Sequence, residues 1–163
     1  MRVLGLDPGL TCAGFGLVER ANGTIRAVDH GAIRTPQGPV AGRLALLYER
    51  IEELLRLHAP DAVAVERVIF DRNARTAMSV GQAAGVALLA AARAGCEVAE
   101  YTPSEMKLSV TGDGAADKAR VQMMVARILG LDAVPKPADA ADALGLAITH
   151  MQSRKLKELA AHA

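Results

Sequence analysis

Four carboxylates in this chain of 163 residues stand where ordinary surface acids seldom do. Asp7 follows the apolar run Val3-Leu-Gly-Leu and opens a Pro-Gly turn, and Glu66 follows Ala62-Val-Ala-Val. Asp139 and Asp142 lie three apart in Pro137-Ala-Asp-Ala-Ala-Asp-Ala-Leu and so share one face of a helix. A charged group flanked by apolar strand residues needs a partner, and a cluster of like charges needs cations. Oxygen donors with no His or Cys close by in sequence suit a hard ion, Mg²⁺ or Mn²⁺, better than zinc. Two such ions about 4 Å apart orient a water for attack on a phosphodiester and stabilise the leaving oxygen. The chain offers no nucleophile of its own, with no Ser in a G-x-S-x-G turn and no Cys beside a His. Taken singly, each acid has a plainer use: Asp-Pro-Gly is an ordinary turn, Glu66 ends a strand, and Asp139 favours a helix N-terminus.

The elements that must carry these residues follow from the pattern. Arg2 to Leu6, Cys12 to Glu19 and Thr24 to Thr35 read as three antiparallel strands, with Asn22-Gly23 as a hairpin turn. Leu44, Leu47, Ile51, Leu54 and Leu55 give helical periodicity over 43–58, closed by Pro60. Asp61 to Val68 is a fourth strand, too apolar for an exposed edge and placed for a parallel crossover. A helix over 74–94 has small or apolar residues nearly all round, including Ala77, Gly81 and Gly85 at four-residue spacing. It is either wholly buried or packed between the sheet and a second subunit. A fifth strand over 97–102, a short helical turn after Pro103, a helix over 117–129 and a last helix over 138–151 complete an α/β domain with a five-stranded mixed sheet flanked by helices. That domain spans 1–151, and the tail 152–163 either extends the last helix or is disordered. If the first and fourth strands are parallel neighbours, Asp7 and Glu66 meet at their carboxyl ends, where open α/β sheets bind ligands.

Composition removes several function classes. Nineteen Lys and Arg against eighteen Asp and Glu give a formal charge of +1, so bulk charge does not announce a polyanion. Four aromatic residues and no Trp exclude a surface of many stacking rings. The longest apolar stretch, 85–92, is too short to span a bilayer, and Asp7 interrupts any secretory leader, so a cytoplasmic protein is expected. Cys12 and Cys96, without a CxxC or a companion His, read as small buried apolar residues.

At these residues the chain closely resembles the RuvC family of Holliday junction resolvases, the crossover junction endodeoxyribonucleases of the ribonuclease H-like superfamily. The matching pieces are Leu4-Gly-Leu-Asp-Pro-Gly, Val65-Glu-Arg-Val ahead of an aromatic, Asn73, Gly81-Gln-Ala-Ala-Gly, Pro137-Ala-Asp-Ala-Ala-Asp-Ala-Leu and Ala147-Ile-Thr-His, in the family's order from Val3 to about His150. The resemblance implies a ribonuclease H-like fold and a homodimer that nicks two strands of a four-way junction symmetrically in recombination and repair. It implies that Asp7, Glu66, Asp139 and Asp142 are the catalytic metal ligands, for two Mg²⁺ per subunit with Mn²⁺ as a substitute. It also favours the dimer reading of helix 74–94 and brings in the branch-migration proteins RuvA and RuvB as partners.

By position the resemblance assigns DNA contacts to Lys107, Lys118, Arg72 and Asn73; Arg67 and Arg75, which bracket the same loop, are additions from the sequence alone. Relatives commonly carry a Phe directly after the Glu-x-Val triplet, as a wedge against unstacked bases. Here the pair is Ile69-Phe70. Phe70 is the favoured wedge, with an aliphatic Ile69 wedge and a core Phe70 as the alternatives. Two bound divalent ions would cancel the charge of four acids, leaving each subunit about +5 and a dimer about +10.

Two other functions fit parts of the pattern. Leu6-Asp-Pro-Gly-Leu-Thr before a hairpin also resembles the phosphate turn of acetate- and sugar-kinase-type enzymes, which need a second such domain and a further glycine-rich loop. A non-catalytic junction-binding protein would be expected to lose part of the acidic set, and all four positions are filled.

Overall fold

A computed structural model describes residues 1–69 and 74–161. Strands β1 (Arg2–Asp7), β2 (Cys12–Ala21), β3 (Thr24–Arg34), β4 (Ala62–Glu66) and β5 (Glu97–Tyr101) form one sheet in the order β3-β2-β1-β4-β5. The first three are antiparallel, and β4 and β5 run parallel to β1. Asn22 and Gly23 both adopt positive φ, 53° and 79°, as a two-residue hairpin whose twist matches its strands requires. The sheet is the expected mixed one, and β4 stops at Glu66, so the carboxylate occupies the strand's last position.

Alternation along the strands builds two cores. Leu4, Leu6, Leu17, Val63 and Val65 face α1 (Val40–His58) and α2 (Ala74–Arg93), which contribute Leu47, Ile51, Leu55, Ala83, Ala87 and Ala91. Val3, Val18, Ala62 and Ala64 face α3 (Pro103–Thr111), α4 (Lys118–Leu129) and α5 (Ala138–Ala161), whose Met106, Val110, Val125, Leu144, Ile148 and Met151 are buried there. Because side chains alternate with a period of two, Asp7 belongs with Val3, and Glu66 with Ala62 and Ala64, on the α5 side.

Three helices differ from the sequence expectation. Val40 already lies in α1, three residues ahead of Arg43, and the helix ends on Ala59 at φ 41° with its N–H bonded to the Leu55 carbonyl. The turn expected after Pro103 is a nine-residue helix, α3, started by a capping box in which Thr102 and Glu105 satisfy each other's backbone N–H groups. The last helix runs on through the expected tail to Ala161. Among the described residues, no helix is long and apolar enough to cross a membrane.

The position of α5 depends on glycines. Gly5 and Gly16 are register partners in β1 and β2, and Gly14 pairs with Asp7. A Cβ on Gly5 would collide with the Ala143 carbonyl, on Gly14 with the Asp139 carbonyl, and on Gly16 with Leu144. The three form a trough without side chains in which α5 lies close enough for its first turn to reach the end of β1.

Candidate active site

Parallel pairing of Leu6 with Val65 sets Asp7 and Glu66 next in line on adjacent strands. The glycine trough brings Asp139 and Asp142, one turn apart on α5, onto the same spot. Asp142 is buried, with 8% of its surface exposed, and the other three are half-buried. All four sequence-predicted carboxylates are therefore brought together.

Their electrostatics follow from that placement. Burial raises the Asp7 carboxyl from 3.8 to about 8, and the charges of Glu66, Asp142 and Asp139 add to it. Burial also raises Glu66, with Asp142 as the next cause. In Asp142 the rise from burial outweighs the lowering effect of Lys118. Among the described residues no three His, Cys, Asp or Glu side chains close into a ready-made metal cage. The carboxylates share one field without closing on one another, as like charges do.

The two predicted lysines stand beside this cluster. Lys118 begins α4, and its Nζ lies 3.4 Å from Asp142 Oδ2. Its pKa is raised chiefly by the charge of Asp142. Lys107, on α3, is near enough for its charge to lower Glu66 and Asp142. Lys118 is mostly exposed, so it screens the buried acids without neutralising them.

Phe70, Arg72 and Asn73 lie outside the described residues. Ile69 precedes them with 59% of its surface exposed. Ile69, Arg67 and Glu66 line a groove of about 250 Å³ together with Pro103 and Val80. Arg75 falls in the first turn of α2.

Two residues that matter locally were not singled out from the sequence as site residues. Cys12, expected to be a bland core residue, is half-buried, and its thiol donates to Asp139 Oδ2 at 3.1 Å. Burial raises its pKa, which favours the thiol as the donor in this hydrogen bond. Arg43 of α1 reaches over the β1–β2 turn, where it donates to Thr35, Thr11 and the Leu10 carbonyl. The sequence signal for both is weak, since each meets its partners only through folding.

The RuvC family model, described as crossover junction endodeoxyribonuclease RuvC, matches residues 3–150. The chain is 48% identical to the RuvC of Brevibacillus brevis over 94% of this chain and 93% of that one. It is 55% identical to the RuvC of Rhodococcus opacus over 92% and 80% of the respective chains. Among solved structures, T. thermophilus RuvC in complex with Holliday junction substrate superposes with a TM-score of 0.90 at 38% identity, covering 96% of each chain. The yeast mitochondrial Holliday junction resolvase Ydc2 shares the fold at 16% identity and a TM-score of 0.68. A model match over nearly the whole chain and relatives near 50% identity place this protein in the RuvC family of crossover junction endodeoxyribonucleases.

Proposed function

We propose that this enzyme resolves four-way DNA junctions by paired, symmetric nicks, hydrolysing one phosphodiester in each of two strands. The observation that carries the chemistry is the convergence of Asp7, Glu66, Asp139 and Asp142 in a largely buried cluster that pushes Asp7 up to about 8. Such a cluster is costly to fold unless it holds cations in the working protein. The donors are carboxylate oxygens, so the set fits hard divalent ions, Mg²⁺ or Mn²⁺. Asp7, Glu66, Asp139 and Asp142 would hold them. When bound, two such ions orient the attacking water and offset charge on the leaving oxygen.

The protein's own groups supply the rest. Lys118 and Lys107 set positive charge beside the carboxylates, where the non-bridging oxygens of the scissile phosphate gain charge as water adds to phosphorus. The Cys12 thiol keeps Asp139 in one orientation. Four-way junction DNA as the substrate follows from family membership and from the relative solved with that substrate.

A homodimer supplies the second nick. In its support, α2 buries Ala83, Ala87 and Ala91 against the sheet while Met78 and Leu89 remain 65% and 54% exposed. Gly81 and Gly85 open onto free space, so another backbone can approach closely. The family also brings RuvA and RuvB as partners for branch migration.

Purified protein incubated with labelled junction and with linear duplex, in Mg²⁺ and in chelator, tests this reading. Cutting of the junction in Mg²⁺ alone is expected; equal cutting of both DNAs would make the protein a general nuclease. On the same substrate Phe70→Ala is expected to lower the rate about tenfold, the worth of one base–aromatic stack, and Ile69→Ala about threefold or less. The reverse order would move the wedge to Ile69.

A further inference from the structure

Next to the carboxylates lies a groove of about 550 Å³, walled by the β1–β2 turn, by Arg43 of α1 and by Ser79 of α2, and lined also by Asp139. Arg43 is held firmly in it. Its Nε donates to Thr35 Oγ1 at 2.9 Å, and its Nη2 donates to Thr11 Oγ1 at 2.8 Å and to the Leu10 carbonyl at 3.2 Å. Thr35 is buried and spends its own proton on the Leu10 carbonyl at 2.6 Å, which leaves its oxygen to accept from Arg43.

Every one of these partners is neutral. Among the described residues no ion pair includes Arg43, although a guanidinium is charged at any working pH. Three hydrogen bonds fix the fork without using Nη1, so little side-chain entropy remains to be lost when an anion docks. Thr11 accepts from Arg43 and keeps its own O–H to donate. Ser79 is already committed, donating to the Thr76 carbonyl at 2.9 Å. An uncompensated, pre-oriented guanidinium beside a hydroxyl donor, in a groove that adjoins the cutting site, matches a phosphodiester.

We propose that this groove seats a backbone phosphate of the cut strand, adjacent to the phosphate at the carboxylates, and that Arg43 with the Thr11 hydroxyl holds it there. The inference rests on the junction-nuclease reading, since the DNA must already lie across Asp7, Glu66, Asp139 and Asp142. Arg43 thus binds the strand whose scissile bond is to be aligned, and it does so from α1, whereas Lys107 and Lys118 belong to α3 and α4.

The test uses full-length protein carrying Asp7→Asn, so that DNA stays intact in Mg²⁺, and junctions with a single neutral methylphosphonate at each linkage flanking the cut. With Arg43 present, one flanking methylphosphonate is expected to weaken binding about fivefold to tenfold. In Arg43→Gln the affinity falls by a similar factor, and that linkage then costs less than twofold more. The slope of log affinity against log salt becomes shallower by about 0.9 for each arginine removed. Arg43→Lys keeps the slope and loses part of the linkage dependence.

If no flanking methylphosphonate weakens the protein that retains Arg43, the proposal is overturned whatever the variants do. It is equally overturned if Arg43→Gln melts lower yet keeps the salt slope and the full cost of every methylphosphonate, because Arg43 then only clamps the turn. Failure of the parent protein to cut junctions in Mg²⁺ would instead remove the function on which the inference rests.

Discussion

Asp7→Asn is expected to bind a synthetic four-way junction about as tightly as the parent protein and to cut it about a thousandfold more slowly or worse in Mg²⁺. The amide keeps the size of the side chain and removes one anionic donor from the centre of the carboxylate cluster. Several kcal/mol of transition-state stabilisation depend on that donor if it holds a catalytic ion. Cleavage by the variant at the parental rate would end the assignment of Asp7 as a ligand.

The same substitution should make the metal-free protein more stable. Burial and the neighbouring acids raise Asp7 from 3.8 to about 8, so the folded state binds a proton that the unfolded chain releases near 4. The stability contributed by that proton is complete below about 4 and is lost as the pH rises through about 8. In chelator the parent protein is therefore expected to melt at progressively lower temperature between pH 5 and 8.5. Asp7→Asn should show a shallower decline, with the remainder owed to Glu66 and Asp142, which are also raised. Near pH 8 the variant should be ahead by about 1–2 kcal/mol, roughly 2–8 °C in Tm. Added Mg²⁺ should stabilise the parent more than the variant. Superimposable melting curves for the two chelated proteins across this range would show that Asp7 does not carry the buried charge.

Gly5→Ala is expected to destabilise the protein by about 3 kcal/mol or more, from a single added methyl group. At most sites an extra carbon displaces a side chain, which rotates away at modest cost. Here the Cβ would meet the carbonyl of Ala143, so either the sheet or α5 must move as a whole. Any such movement lifts Asp139 and Asp142 away from Asp7, and metal-dependent cleavage should fall with stability. Gly42→Ala provides the control: Gly42 lies in α1 with no atom within 4 Å of where its Cβ would sit, and the methyl should stabilise that helix by about 0.5–1 kcal/mol. Urea unfolding of the two variants beside the parent measures both effects. A Gly5→Ala protein with parental stability would mean that α5 does not lie in the glycine trough.

The element order and the conspicuous placement of the four acids were legible before folding because each rests on local pattern, whereas the parallel pairing of β1 with β4 entered only as a condition. Alternation marks strands, a 3.6 period marks helices, and an acid at the end of an apolar strand is conspicuous by contrast. The structure supplies the pairing of β1 with β4 and adds how the acids meet. Gly5, Gly14 and Gly16 look in sequence like weak strand residues, and they become the reason α5 can reach β1 only when the helix backbone is seen against them. Helix α3 exceeds the short turn that periodicity marks because its capping box depends on Thr102 and Glu105 satisfying each other, a detail that apolar spacing does not register.

The sequence alone determined which residue types could do metal-dependent phosphodiester chemistry and which family the chain resembles, since both are carried by short runs of neighbouring residues. Tertiary structure alone decided that Asp7 is held near 8, that the Cys12 thiol donates to Asp139, and that Arg43, with neutral partners, lines the same groove as Asp139. Those properties come from burial, distance and field between residues separated by up to more than a hundred positions. Such quantities have no value until the chain closes on itself.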